Sequence, residues 1–286
     1  MQRLSSNARG GPPMAAALSL WLLAAACTPV HPAVGGVAEG EPGVPILYAA
    51  GDFSYVIESR DSLSMRMPDE TFQTQVTVKT AWVKLSLRAA VDGFDADLRL
   101  DSMRLDRPNQ LVQPLVDSAV GTRWRGRLRP DGHVDSLTPD RQSVLGEQLR
   151  TMFHRLFPVL PPGGARRNDQ WADSAGMPFQ LLPAVSARET RSSRYRAVRT
   201  ETTEGVRTLR IESVTGYSVS GGGTSFGQRL DLTGSGVATG VHLLSLAGIL
   251  QQASVIDSVS VSLSLPAIGQ TVPTVVKGSY TLRLLR

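Results

Sequence analysis

The chain has 286 residues, with 30 Lys and Arg against 25 Asp and Glu, 41% hydrophobic residues and a single cysteine. One thiol excludes an intrachain disulfide and a Cys-based zinc site, and 41% apolar with 19% charged residues is too hydrophobic for a disordered chain. The length suits one large β domain or two small ones.

Residues 1–26 read as a signal peptide: Arg3 and Arg9 lie in a polar start, and an apolar stretch of 13 residues runs from Met14 to Ala26. A membrane-spanning helix needs roughly 20 residues, whereas a signal-peptide core needs about 7–15. Leu23-Ala24-Ala25-Ala26-Cys27 resembles the lipobox of bacterial lipoproteins, with Ala24 standing where Leu or Val is usual. The resemblance implies cleavage before Cys27 and acylation of its thiol and new amine. Acyl chains at ~0.8 kcal/mol per buried CH₂ then hold the protein to a bilayer. Thr28, in place of an Asp that favours inner-membrane retention in the enterobacterial pattern, points by the same resemblance to the periplasmic side of the outer membrane. The alternative is cleavage after an Ala-x-Ala site such as Ala24 to Ala26 and secretion without an anchor.

Removing residues 1–26 takes two arginines and no acid, so the net charge falls from +5 to +3, too little to argue for nucleic acid. Cys27 and the Pro- and Gly-rich run to Pro45 form a tether, which as a flexible coil of about 18 residues spans on the order of 25 Å. Residues 46–286 then make one β-rich domain, with 46–160 and 165–286 as possible halves.

From Ile46 onward the dominant signal has period two, as in half-buried strands of an antiparallel sheet. Between Thr71 and Val91 the apolar set changes parity, from Phe72, Val76, Val78 and Trp82 to Val83, Leu85, Leu87, Ala89 and Val91. That change predicts an exchange of faces through a bulge near Thr80 to Val83. Phe94, Ala96, Leu98 and Leu100 alternate with Asp95, Asp97, Arg99 and Asp101, and Trp124 and Leu128 alternate with Arg123, Arg125 and Arg127. Leu111 to Val120 is a short helix candidate that contains Pro114. Asp92-Gly93, Pro130-Asp131-Gly132 and Glu204-Gly205 supply hairpin turns.

A longer amphipathic helix follows, with Thr138 as N-cap, Pro139 at the first helical position and Asp140 in the first turn. Leu145, Leu149, Met152, Phe153 and Leu156 form its apolar stripe, Arg141, Glu147, Arg150 and Arg155 occupy other faces, and Pro158, Pro161 and Pro162 end it. So wide a stripe must cover a sheet face or plug a curved one. Pro158 to Trp171 reads as a hinge. Leu244 to Gln252 is a third helix candidate. Val255, Val259, Val261, Leu263 and Leu265 then face away from Ser258, Ser260, Ser262 and Ser264. In the last strand Val276, Tyr280, Leu282 and Leu284 oppose Lys277, Ser279, Thr281 and Arg283. The fold expected is mainly β with one or two helices: a strongly curved antiparallel sheet or half-barrel packed on an amphipathic helix.

Chemical signatures are few. Gly223-Thr224-Ser225-Phe226-Gly227 matches GxSxG, with Asp231 and His242 in hydrolase order. A nucleophile elbow needs a helix after the serine, and here a period-two strand follows. Gly221-Gly222-Gly223 reads as a hairpin connection needing positive φ. His31, His133, His154 and His242 contain no HxH or HxxxH pair, so no metal site is expected. Asp92, Asp95, Asp97 and Asp101 lack the DxDxDG order of a calcium loop and read as a wet strand face. Arg123, Arg125, Arg127 and Arg129, with the second run Arg191, Arg194, Arg196 and Arg199, fit exposed strand faces or contacts to anionic headgroups.

In architecture, a bilayer-anchored lipoprotein with a curved antiparallel sheet and a helix after a Pro-Asp-Gly hairpin resembles the half-barrel carriers and receptors of the Lol system and the mycobacterial lipid-carrier lipoproteins. Locally, Arg129-Pro130-Asp131-Gly132-His133-Val134, Leu156-Phe157-Pro158-Val159-Leu160-Pro161 and Asp169-Gln170-Trp171 resemble a family of uncharacterised secreted bacterial proteins. That family has a Leu-Pro segment followed by Gly-Asp-x-Trp, and Asn168 replaces its Gly.

The expectation is a non-enzymatic envelope lipoprotein without cofactor, binding a lipid or acylated protein in a cavity lined by Trp82, Trp124, Phe94 and Leu98. The alternatives are a structural or assembly lipoprotein that binds a protein partner, and a serine hydrolase using Ser225.

Overall fold

The computed structural model describes residues 43–66, 70–107, 112–141, 143–179, 185–225, 228–266 and 269–285. The segment expected to be a signal peptide, Cys27, His31 and the expected tether as far as residue 42 lie outside the described residues.

Eleven strands form one antiparallel sheet: β1 Gly51–Arg66, β2 Phe72–Ala90, β3 Gly93–Leu105, β4 Arg123–Leu128, β5 Val134–Pro139, β6 Gln170–Phe179, β7 Val185–Thr203, β8 Val206–Ser225, β9 Gln228–Ser245, β10 Leu250–Leu265 and β11 Gln270–Leu285. Their order is β5-β4-β3-β2-β1-β11-β10-β9-β8-β7-β6. Every neighbour is consecutive in sequence except at the centre, where β1 pairs with β11 from Ser54↔Leu285 to Met65↔Thr274. That ladder joins the strands before the 158–169 connection to those after it. Helix α1, Gln113–Ala119, lies between β3 and β4, and α2, Val144–Leu156, between β5 and β6.

The sheet is strongly curved and open. Helix α2 packs against β5 and also against β10 and β11, although β10 stands six places from β5 in the sheet order. In a flat sheet, at ~4.8 Å per strand, six places span about 29 Å. A helix with side chains is only about 10–12 Å wide, so the sheet must curl around it. The edges β5 and β6 do not pair, but they approach at one end, where His133 of the β4–β5 turn hydrogen-bonds Asp173 of β6 at 3.1 Å.

Alternation sets the faces. Phe94, Ala96, Leu98 and Leu100 of β3, Trp124 and Leu128 of β4, and Val255, Val259 and Val261 of β10 are buried on the concave side. The helix stripe Leu145, Leu149, Met152, Phe153 and Leu156 is buried against them in one core. Residues 46–49 close one end through an Ile46↔Ala165 bridge, Tyr48 N–H to Pro130 O at 2.9 Å and Tyr48 Oη–H to Pro158 O at 2.9 Å. The Tyr48 ring occupies space that a Cβ at Gly132 would enter, 2.6 Å from the ring, and Gly132 also has φ +88°. Leu160 N–H donates to Asp131 O at 2.7 Å and Trp171 Nε1–H to Val159 O at 2.7 Å. The Pro-Asp-Gly, Leu-Pro and Asp-x-Trp segments therefore pack as one unit. Asn168 in that unit has φ +72°, a left-handed backbone that Asn tolerates better than other side chains.

Several expectations change. Helix α2 starts later than Thr138 suggests: Thr138 and Pro139 end β5, paired with Arg125 and Trp124. Ser143 is the cap, its Oγ accepting from Gly146 N–H at 3.0 Å. Pro is tolerated there because β5 is an edge strand. Pro114 lies in the first turn of α1, where its missing N–H costs nothing. The third helix candidate is instead a hairpin: Leu244 and Ser245 end β9 and Leu250 to Gln252 begin β10. The bulge near Val83 exists, but on the partner strand: Trp82 pairs with Ser102 and Val83 with Leu100, leaving Asp101 as the extra residue of β3. Strand β2 keeps a single phase, with Thr77, Lys79 and Ala81 on the concave side and Phe72 and Val76 exposed outside.

Candidate ligand cavity

Between α2, α1 and the concave faces of β1, β2, β3, β10 and β11 lies a cavity of about 730 Å³. This falls inside the roughly 300–1,000 Å³ usual for small-molecule sites. Its walls are apolar, with Leu145, Leu149 and Met152 from α2 facing Val259, Val261 and Val276 across the void. Leu115 of α1 and Gln148 of α2 stand at its rim, both exposed. Helix geometry accounts for the roof, because positions 145, 149 and 152 fall on one stripe.

The deep end is charged. Lys79 Nζ on β2 meets Asp61 on β1 at 2.7 Å. Arg155, on the last turn of α2, forms ion pairs with Asp257 of β10 and with Glu189 of β7 at 2.8 Å. Its guanidinium also lies 4.7 Å from the Tyr217 ring centroid, a favourable cation–π position. Asp257 is 3% exposed, and burial pushes its carboxyl up despite the neighbouring Arg155. Burial, then the Asp61 and Asp257 charges, raise the Tyr280 phenol well above its ordinary range, so it stays a neutral donor and acceptor. Tyr280 Oη and Asp257 Oδ1 both fill the space that a Cβ at Gly278 would need.

A second buried polar set ties α2 to the sheet. His242 is buried on β9 and its Nδ1 lies 3.0 Å from Leu156 O, while its Nε2 lies 3.1 Å from Ser213 Oγ. The ring is neutral, Nδ1–H donating to the carbonyl and Nε2 accepting from the hydroxyl, because burial lowers its pKa to about 4. Arg191 Nη1 donates to His154 O at 2.9 Å. The His154 ring also falls to about 4, through burial and then the charges of Arg191 and Arg150.

The residues expected to line a cavity stand elsewhere. Phe94, Leu98 and Trp124 are buried in the closed core and do not border the void. Trp82 sits on the outer face, with Arg104 6.0 Å from its ring centroid, because β2 keeps its phase. The hydrolase set is not assembled either. Ser225 pairs with Gln228 beside the β8–β9 turn, whereas His242 pairs with Ile211 near the other end of β9, roughly 45 Å of strand away. Asp231 is engaged by Arg229 at 3.1 Å. Gly221 to Gly223 are strand residues of β8 paired with β7, not a positive-φ connection. Gly221 is required by the close approach of the Ser186 and Ala187 backbone.

The first arginine run is a charge ladder on the outer face. Arg123 meets Asp97 at 2.5 Å, Arg125 meets Asp97 at 3.5 Å, Arg127 meets Asp95 at 3.7 Å and Arg129 meets Asp131 at 3.7 Å. In the second run Arg194, Arg196 and Arg199 are exposed, but Arg191 turns inward at 6% exposure. Among the described residues no group of three or more His, Cys, Asp or Glu is spaced to hold a metal ion. Comparison with protein-family models and with curated protein sequences finds no match.

Sequence reading missed Asp61, Lys79, Glu189 and Asp257. A signal existed for Asp257, which fills the concave-side register position between Val255 and Val259. For Glu189 the alternation with Arg188 and Thr190 is that of a surface strand, and nothing local marks it.

Proposed function

We propose that the chain is a bacterial cell-envelope lipoprotein, held through acylated Cys27 on the periplasmic side of the outer membrane, whose half-barrel binds an apolar ligand without catalysing a reaction. The cavity of about 730 Å³ under α2 carries the reading. The cavity opens to solvent at its rim and has the size usual for small-molecule sites, which supports a binding role. Leu145, Leu149, Met152, Val259, Val261 and Val276 offer an acyl chain or comparable hydrocarbon an apolar lining, and the exposed rim between α1 and α2 offers entry. The ligand class is a lipid or the acyl group of a lipidated protein.

Native mass spectrometry after mild extraction tests the reading: a bound mass is expected that collisional activation releases, and Leu149→Trp, which fills the void, removes it. Ligand-free protein in every preparation, with no uptake of an apolar fluorescent probe, would overturn it. The anchor has a separate test. Cys27→Ala moves the protein to the soluble fraction, and a variant that still fractionates with membranes contradicts lipidation.

A second reading, a lipoprotein that docks a protein partner, is supported by Val214, Val237 and Ile256. They are 54%, 54% and 62% exposed on the outer faces of β8, β9 and β10, where Val214 and Ile256 flank Thr239. A photoreactive side chain at Val237 that yields a discrete cross-link in cells would favour it.

A further inference from the structure

The two ends of the half-barrel differ in what they expose. The turns β2–β3, β4–β5, β7–β8 and β9–β10, the start of β1 and the end of β11 share the closed end, which the 158–169 connection crosses. The mouth of the cavity, with Leu115 and Gln148 at its rim, lies at the opposite end, where β1 turns into β2 and α2 begins.

Turn tips ordinarily carry Gly, Asn, Asp, Pro or Ser, and at the closed end two of them do not. Val91, between β2 and β3, is 96% exposed, and Leu246, between β9 and β10, is 42% exposed. Gly248 supplies the left-handed geometry of the second turn at φ +80°, and Leu246 N–H bonds Arg207 O at 3.1 Å, so that turn does not require a leucine side chain. Val44, where the chain enters the fold, is 81% exposed. Its neighbour Pro45 lies against Gly164 in the 158–169 connection. The two turns are separated in the sheet by β1 and β11, which at ~4.8 Å per strand sets them about 20 Å apart along the sheet. Apolar points so spread fix the tilt of a body on a surface, which a single tip does not.

Charge does not choose this end. Arg88, Arg166, Arg167 and Arg207 are matched in number by Asp52, Asp92, Asp169 and Glu204. Arg129 is shared by Asp131 and Asp135, and Arg199 is held by Glu201 at 2.9 Å. A near-neutral surface with aliphatic points suits the boundary between headgroups and acyl chains, where apolar side chains are buried. Chain length favours the same end. Gly43 is the first described residue, and the roughly 16 residues from Cys27 to it span at most ~55 Å fully extended and ~22 Å as a coil. Strand β8, with 20 residues, is itself ~65 Å long. A lipid on Cys27 therefore meets a bilayer beside the closed end with slack, and one beside the mouth only with the tether drawn out nearly straight.

We infer that the closed end faces the bilayer, with Val44, Val91 and Leu246 set into the headgroup boundary and the cavity mouth turned away from that membrane. The inference rests on the lipid-anchor reading above and adds the orientation of the domain. A mouth turned away receives its ligand from the aqueous side, not by lateral entry from the bilayer that holds the anchor. Phe72 and Leu115, exposed at the other end, are the apolar residues that the reverse orientation would seat, and they serve as controls.

The test uses the acylated full chain reconstituted into phosphatidylcholine vesicles, with one environment-sensitive fluorophore on an introduced cysteine: Val91→Cys, Leu246→Cys, Phe72→Cys or Leu115→Cys. Acylated Cys27 does not react, so each variant takes one label. Labels at 91 and 246 are expected to be quenched by headgroup nitroxide lipids and shielded from aqueous iodide about three-fold or more relative to those at 72 and 115. Adding phosphatidylglycerol or raising the salt leaves the pattern unchanged. Shielding at 72 and 115 instead reverses the orientation, and iodide access at all four sites means a domain held clear of the bilayer; either result refutes the inference while the anchor stands. A chain that takes a second label at Cys27 and does not stay with the vesicles overturns the anchor reading and the orientation together.

Discussion

His242 makes the stability of this fold depend on pH in a direction and window fixed by its surroundings. It is 1% exposed, and its neutral ring bridges Leu156 O at the end of α2 and Ser213 on β8. Burial lowers its pKa from 6.5 to about 4, whereas the unfolded chain leaves it near 6.5. Between those values the unfolded state binds the proton and the folded state does not, so stability is highest above pH 6.5 and falls as the pH drops toward 4. At ~1.4 kcal/mol per pH unit over that interval, His242 alone removes about 3 kcal/mol. The assay is urea unfolding at pH 7.5, 6.5, 5.5 and 4.5 for the wild type and for His242→Gln. The variant lacks the titrating group, so the difference between the two stabilities should shrink as the pH falls and vanish or change sign near the acid end. Parallel stability curves over this range would refute a buried neutral imidazole at this position. His154, whose pKa also falls to about 4, stays in both proteins and cancels in the comparison.

Three further outcomes follow from the packing. Arg155→Met leaves Asp257 and Glu189 buried without their cation and should cost about 3–5 kcal/mol in chemical denaturation; the triple variant with Asp257→Leu and Glu189→Met should recover most of it, and a loss under 1 kcal/mol for the single change would contradict the burial of the pair. Trp171→Phe removes the Nε1–H bond to Val159 O and alters the stack on Tyr195, whose rings stand 5.4 Å apart; thermal unfolding should show a loss of about 1–2 kcal/mol. At Asn168, with φ +72°, Gly should be tolerated or stabilise by up to about 1 kcal/mol and Val should destabilise by more than 1 kcal/mol, an order that calorimetric melting temperatures would expose.

Much of the sheet is legible because its inner rows are aliphatic and its outer rows are not. In β10, Val255, Val259 and Val261 alternate with serines, and in β4, Trp124 and Leu128 alternate with arginines that the acids of β3 ladder from outside. The stripe of α2 reads equally well. Its start does not, because both Thr138 with Pro139 and Ser143 are competent caps, and only the pairing of β5 with β4 decides between them. Strand β2 misleads for a related reason. Its concave side carries Thr77 and Lys79, its convex side Phe72, Val76 and Trp82, so hydrophobicity alone assigns the face backwards until Ala81 and Val83.

The buried polar cluster was hidden because it inverts the usual pattern of a sheet face. Period-two reading assumes that the inner face is apolar, and the concave face breaks that rule at Asp61, Lys79, Asp257, Glu189 and Arg191, on four strands that the sequence separates widely. Each break alone looks like a surface residue or a gap. Only the curl of the sheet around α2, with Arg155 reaching β10 and β7 together, turns them into one buried cluster. Stability does not account for that cluster, since a buried ion pair is often matched or bettered by packed hydrophobic residues of similar volume. Local rules broken together at one place, beside an apolar cavity, are the pattern that functional or strained sites show, and they are the ground on which the binding reading is proposed.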